Sequence, residues 1–480
     1  MILLLLLSIL LPQLTAVTLI WIVWPLQKLT RYDFLLKFCF AVGIGFGILS
    51  CVFFLQLSLF GPSRTGLIAT QIALLIILVA IFFYRTKGAK KSPPVLRDSD
   101  QPVKPSRLAV TLSVLFFVAL VSAGCAFVFI SLRQPHGEWD AWAVYNMKAR
   151  FLFRGGEYWK DIFSEPTGWT SPDYPLLLPA TIAACWTLIG RDTVAVPMIV
   201  AFLFTFATVG MVTGAVSILR GKSQAALAGL ILVCTPFFIK HGANQYTDIP
   251  LAFFFAATII LLHLKDKFPD GERRFLLLAG MMTGLSAWTK NEGLLFLVAI
   301  LVSRFAVVVP KDGLKPFLRQ MRFFAAGLIP VLLVVVYFKA TLATPNRMLF
   351  PAQGPRLVEK LLDSSRYLTI LDAFVREALG LGNWAASIIP LLLFYLLLFG
   401  ASIKQDEKRS IVASLLVLGI MLAGYFAAFV LSPLDVSLHL STSVNRVSLH
   451  LWPSLVVIFF LIVRTPEQAL VKADVISLPA

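Results

Sequence analysis

The sequence predicts an all-α, polytopic transmembrane helical bundle of about 13 spans with interfacial helices at the outer face. Three observations predict it. First, 58% of the residues are hydrophobic and only 14% are charged, where soluble domains carry about 25% charge. Second, apolar runs of roughly 20 residues recur, the length needed to cross a hydrocarbon core about 30 Å thick. Third, the basic residues behind the net charge of +17 gather in short loops between those runs, as orientation bias and anionic headgroups require. That placement argues against nucleic acid as a partner. Backbone groups in lipid must be satisfied within each segment, so helices are expected rather than open sheets.

The spans fall at roughly 1–24, 33–60, 66–84, 108–132, 193–218, 223–240, 249–264, 275–290, 293–309, 323–341, 384–403, 411–431 and 451–463. The opening "MILLLLLSILLPQLTAVTLIWIVWP" lacks a positive leader region and reads as a retained first span. Three leading helices occupy 1–84. The basic, Pro-rich stretch 85–107 reads as a cytoplasmic linker, 108–465 as the main membrane core, and 466–480 as a cytoplasmic tail. The five cysteines all lie in apolar runs without a C-x-x-C, so no disulfide or zinc framework is implied.

Lys and Arg set the topology. Lys28 with Arg31, the 85–107 linker, Arg220 with Lys222, and the basic loops at 265–274, 311–322 and 404–409 are expected in the cytoplasm. The apolar segment 174–190 breaks the parity. It is short and holds Pro175 and Pro179, so it is expected as an interfacial or re-entrant helix at the outer face. The same face then collects "EWDAW" at 138–142, "SPDYP" at 171–175, "QYTDIP" at 245–250, "WTKNEG" at 288–293, the loop 342–383 and "HLSTSVNRVSLHLWP" at 439–453.

Asp140 follows a span and sits between Trp139 and Trp142, spaced to share a helical face. Such a carboxylate can accept a proton from an incoming hydroxyl, or be a solvated acid in an aromatic belt. Glu138 is the second candidate. Asp248 stands at the first turn of a span, where Pro250 suits a helix start; it reads as a catalytic partner or as an N-cap. Asp173 and Tyr174 of "SPDYP" are candidates for substrate binding. Lys290 interrupts an apolar stretch, and charge inside a membrane segment is functional by default. It could neutralise a phosphate, with Glu292 as its pair. Arg347, Arg356, Lys360, Arg366 and Arg376 make the loop after 341 unusually basic. Arginine binds phosphate bidentately, although a surface helix of alternating charge reads the same way. Arg446, with His439 and His450, forms a further cluster. No metal site is assigned, although outer carboxylates could take a divalent ion. No Walker or dinucleotide fingerprint occurs.

Taken in order, "EWDAWAVYNMKARFLF", "SPDYPLLLP", "YTDIPLAFF", "WTKNEGLLF" and "STSVNRVSLHLWP" resemble the glycosyltransferase-C superfamily over about 108–465. The closest likeness is to protein O-mannosyltransferases and lipid A aminoarabinose transferases. The resemblance implies a hexosyl- or pentosyltransferase of the cytoplasmic (inner) membrane with its site facing outward. It would move a sugar from a polyprenyl-phosphate donor to a glycan, lipid or protein acceptor, usually with inversion. Asp140 would be the base, and Lys290 with loop arginines would hold the carrier phosphate. The chain departs from the pattern in three places. Three helices precede the core, the acids come as Glu138-Trp-Asp140 rather than adjacent, and Ser171 stands where many relatives have His.

The residues fit that chemistry independently. A phosphate leaving group needs charge stabilisation more than a proton, and the attacking hydroxyl needs one base. A paired-carboxylate hydrolase would be built differently. Two other readings remain: a transporter or flippase, which would show repeats and midplane charge on broken helices, and a scaffolding subunit whose outer acids serve as caps.

Overall fold

The computed structural model describes residues 2–24, 31–88, 106–345, 357–384, 386–405 and 407–469. Arg347, Arg356 and most of the linker and tail lie outside them. The described chain is helical, with one isolated bridge between Ala401 and Val463. Its helices are α1 (Ile2–Val23), α2 (Arg31–Phe60), α3 (Arg64–Gly88), α4 (Arg107–Arg133), α5 (Asn146–Arg154), α6 (Leu177–Ile189), α7 (Ala195–Arg220), α8 (Lys222–Val233) and α9 (Pro236–Ala243). They continue as α10 (Asp248–Lys267), α11 (Glu272–Thr289), α12 (Glu292–Asp312), α13 (Leu314–Thr341), α14 (Leu357–Leu362), α15 (Ser364–Gly380), α16 (Ile388–Phe399), α17 (Lys408–Leu431) and α18 (Val436–Ile462).

Ten of these helices are long and apolar enough to cross a membrane, and up to 12 if each of two bent pairs counts as one span. The protein is therefore an integral, multi-pass helical bundle. The bent pairs are α8–α9, broken by 61° at Pro236, and α15–α16, broken by 84°. A proline at the first turn of α9 has no N–H to continue the helix before it. α11, expected as a span, is not among the ten: it has 18 residues and opens on Glu272, Arg273 and Arg274.

Other elements also differ from expectation, at least in part, among them the expected loop 342–383, which holds α14 and α15. The segment 439–453, expected as an outer loop, lies inside α18. Asp435 caps that helix by accepting from the Leu438 N–H at 2.9 Å. Ser441, Thr442 and Ser448 return their hydroxyls to carbonyls three or four residues back, so the polar run satisfies itself without leaving the helix. The short apolar segment becomes α6, 13 residues or about 20 Å long. All its residues but Thr187 are buried. It packs among α1, α2, α3, α5 and α7, sealed in protein as a re-entrant helix would be and not laid on the bilayer surface.

The leading helices share this core. α2 runs between α6, α7 and α11, with Gly47 against Leu285 and the Trp288 indole donating to Ser50 Oγ at 3.1 Å. One continuous apolar cluster extends from Ile9 to Val463.

Candidate functional site

The site forms where two loops and three helix ends meet. The loop after α4 is laced to the turn before α10. Gln245 Nε2 donates to the Pro135 carbonyl at 3.1 Å, and Asn146 Nδ2 donates to Gln245 Oε1 at 3.3 Å. Gly137 (φ +72°) lies so close to the Asn244 carbonyl that an added Cβ would sit 2.5 Å from its oxygen. Only glycine adopts that backbone so near a neighbour at little cost. A single π turn, Ala141–Tyr145, follows Asp140; such turns re-aim side chains and are common at functional sites. Here it sends Tyr145 into the interior.

Asp248 is the hub, with no side-chain exposure. Neither it nor Thr247 caps α10. Lys290 Nζ donates to Oδ1 at 3.0 Å, and Arg446 Nε and Nη2 donate to Oδ2 at 3.1 and 2.9 Å. His450 Nε2 donates to Oδ1 at 2.6 Å, and His241 Nε2 meets Oδ2 at 3.0 Å. The Tyr425 hydroxyl bonds His450 Nδ1 at 3.1 Å, which fixes that ring's orientation. Arg446 and His450 lie one turn apart on the same face of α18.

Arg446 Nη2 also reaches Asp140 Oδ2 at 2.7 Å, and Lys290 Nζ reaches Glu292 Oε1 at 3.0 Å. The structure thus brings together Asp140, Asp248, Lys290, Glu292 and Arg446, which sequence reasoning collected from four separate segments. Glu138 turns outward, 35% exposed, with Lys240 at 3.8 Å. Trp139 and Trp142 pair edge to face, ring centroids 4.7 Å apart, and both are exposed beside Asp140.

Asp173 and Tyr174 sit on the other side of Lys290. Asn291 Nδ2 donates to Asp173 Oδ2 at 2.7 Å. Lys339 Nζ, at the end of α13, donates to the Asp173 carbonyl at 2.5 Å and to Asn291 Oδ1 at 2.6 Å. Lys148 Nζ donates to the Ser171 carbonyl at 2.5 Å. Tyr174 lies between two cations: Lys148 and Lys290 each stand 5.7 Å from its ring centroid. Burial pushes the Lys148 ammonium down to about 7, partly opposed by Asp173.

The remaining candidates are spent elsewhere. Lys360 donates to the Leu431 carbonyl, and Arg366 to the Phe429 and Ser432 carbonyls, where cations suit the end of α17. Arg376 pairs with Asp372 one turn away, and His439 bonds Ser432. Arg347 lies outside the described residues. Among the described residues, no group of three or more His, Cys, Asp or Glu is arranged to hold a metal ion.

Sequence reasoning missed His241, Lys148, Lys339 and Tyr145. Lys339 carries the signal of a lone lysine in an apolar run, in "VVVYFKATL", whereas Lys148 shares its stretch "NMKARFLF" with Arg150. Tyr145 is 1% exposed, is ringed by Asp140, Asp248, Lys290 and Arg446, and has no partner for its hydroxyl. Only the fold reveals that.

Residues 173–338 match the sequence profile of a family described as dolichyl-phosphate-mannose-protein mannosyltransferase. The matched region includes Asp173, Asp248, Lys290 and Glu292, and excludes Asp140, Lys339 and Arg446. No curated protein and no solved structure is similar enough to count as a match. The profile match supports the likeness to glycosyltransferase-C enzymes, and with it a membrane glycosyltransferase that draws on a lipid-linked sugar.

Proposed function

We propose, on the premise of a multi-pass membrane glycosyltransferase using a lipid-linked sugar, that Asp140 is the base that activates the acceptor hydroxyl at the outer face of the cytoplasmic membrane. The observation that carries this reading is the contrast between the two aspartates. Asp140 keeps 23% of its side chain exposed and has one ionic partner, while Asp248 is fully covered and holds four. A base must be reachable by substrate; a saturated carboxylate is a positioning group.

The step balances simply. The acceptor hydroxyl gives its proton to Asp140, its oxygen bonds to the sugar's anomeric carbon, and the carrier phosphate departs with the bonding electron pair. Attack opposite the leaving group inverts the anomeric centre. Arg446 holds Asp140 in place and Asp248 holds Arg446.

Charge counting favours a different phosphate holder from Lys290. Three carboxylates, Asp140, Asp248 and Glu292, face two cations, Lys290 and Arg446, so that grouping has no positive charge to spare. Lys339 and Lys148 have only neutral oxygens as hydrogen-bond partners. They are the cations free to meet a phosphate, where fixed positive charge stabilises the leaving group. A carrier tail then stays in lipid while its head enters the site.

The test is transfer from a polyprenyl-phosphate sugar by the purified, reconstituted protein. Asp140→Asn should abolish transfer, and Glu292→Gln should retain most of it. Glu292 is the comparison because it too is partly exposed, with one cation, but its Oε2 is buried and unpartnered. Normal transfer by Asp140→Asn would refute the assignment.

A further inference from the structure

The opposite end of α10 carries a second polar site. Lys265 lies 17 residues along that helix from Asp248, about 25 Å away. There a cavity of about 470 Å³ opens between α10, α11, α12, α13 and α17, and its charged lining is Lys265, Asp266, Glu272, Arg304, Asp312 and Arg409, with Gln320 beside them. Arg409 is held bidentately by Asp312 at 2.9 and 2.8 Å, and Lys265 is held by Asp266 at 2.8 Å. Two residues lack a direct ionic partner, although Asp266, Glu272 and Asp312 stand near enough across the cavity to act on Arg304. Arg304 is 4% exposed, donates to Gln320 Oε1 at 2.5 Å, and keeps a buried Nε without a partner. Among the described residues no carboxylate lies within 4 Å of its guanidinium, and no cation lies within 4 Å of Glu272.

A covered guanidinium whose carboxylates all stand beyond ion-pair distance is incompletely compensated, at a cost. An anion in the cavity relieves that cost, and phosphate matches the guanidinium fork. Glu272, on the facing helix, matches an ammonium. Val307 and Val308, three and four residues after Arg304, line the same cavity, an apolar wall that acyl carbons can cover. We propose that this cavity holds the headgroup of a phosphoethanolamine phospholipid, phosphate on Arg304 and Gln320, amine on Glu272. The site is separate from the Asp140 cluster and does not depend on its function.

The experiment is native mass spectrometry of the full-length protein. It is incubated in detergent with equal amounts of phosphatidylethanolamine, phosphatidylcholine and phosphatidylglycerol of identical chains. One phosphatidylethanolamine should be retained in preference to the other two. Arg304→Gln should lower its retention about tenfold, the value of a charged hydrogen bond lost. Glu272→Gln should erase the preference over phosphatidylcholine while retaining lipid. Equal retention of phosphatidylglycerol would overturn the amine assignment. Displacement of the lipid by millimolar inorganic phosphate would make the ligand a free anion, and no retained lipid would leave a water-filled vestibule. Should Arg304→Gln not fold, the Glu272→Gln arm and competition by soluble glycerophosphoethanolamine decide, with failure of both overturning the proposal.

Discussion

Two charged groupings stand side by side at one end of the bundle and differ in what fills their hydrogen bonds. Around Asp248, each charge faces an opposite charge, and the hub is sealed. Around Asp173, the two lysines bond to carbonyl and amide oxygens, and Lys339 is only half-buried. A fully paired cluster is rigid and resists a new anion. A grouping of cations on neutral acceptors is receptive, because a phosphate oxygen can replace a carbonyl without leaving a carboxylate bare. The comparison divides the site into a frame and a receptor, with Asp140 at the edge of the frame where substrate can reach it.

Four measurements break or sharpen that division. Asp140→Asn should cut transfer by about 10²–10⁴-fold, the range for loss of a general base, while thermal unfolding in detergent stays near that of the parent. Asp248→Ala should act mainly on the frame. It leaves Lys290 and Arg446 each with a single, partly exposed carboxylate and His241 and His450 without theirs, and should cost about 3–5 kcal/mol of stability, read by thermal or denaturant unfolding; a variant as stable as the parent would end the distinction. Lys339→Met should raise the KM for donor about tenfold, one charged hydrogen bond, and leave unfolding unchanged. An equal rise from Lys290→Met without loss of stability would move the phosphate back to the frame.

The smallest effect is a pH dependence. Lys148 is lowered by burial to about 7, so it is charged below that pH and neutral above it. A phosphate binds the charged form, so the donor KM should rise as pH increases through about 7. The Lys148→Met variant should lose that slope. The stability sign is opposite: with the folded-state value depressed, the unfolded chain binds more protons between about 7 and the ordinary lysine value, and stability rises with pH across that window. Opposite slopes for binding and stability identify this residue.

Much of the architecture was legible because lipid imposes it. Apolar length marks spans, and charge at their ends or within them is conspicuous: Asp140 follows one beside two tryptophans, Asp248 opens one, Lys290 and Glu292 interrupt one, and Arg446 stands with two histidines before the last. What escaped were relationships that cross elements. The run around Arg446 reads as a loop because its serines and threonines are polar, yet they are satisfied within α18. The four-residue spacing of Arg446 and His450 was the available sign of a helix. α2 reads as one of three leading spans, yet its Ser50 receives the Trp288 indole two residues before Lys290. The roles of Lys148 and Lys339 depend on which oxygens they meet, and sequence spacing does not encode that.

α11 and α13 cross with almost no side chain between them. A Cβ on Gly280 would fall 1.9 Å from the Phe324 carbonyl oxygen, and one on Gly327 would fall 1.9 Å from that of Leu277. Small residues permit such backbone approach between membrane helices. The two helices run in the same direction from that clasp, one ending at Lys290 and the other carrying Lys339. The gap between a committed ammonium and an open one is therefore gauged some ten residues away, by two missing methyl groups. Chain chemistry at the rim and chain thickness at the waist are thus a single adjustable dimension of the molecule.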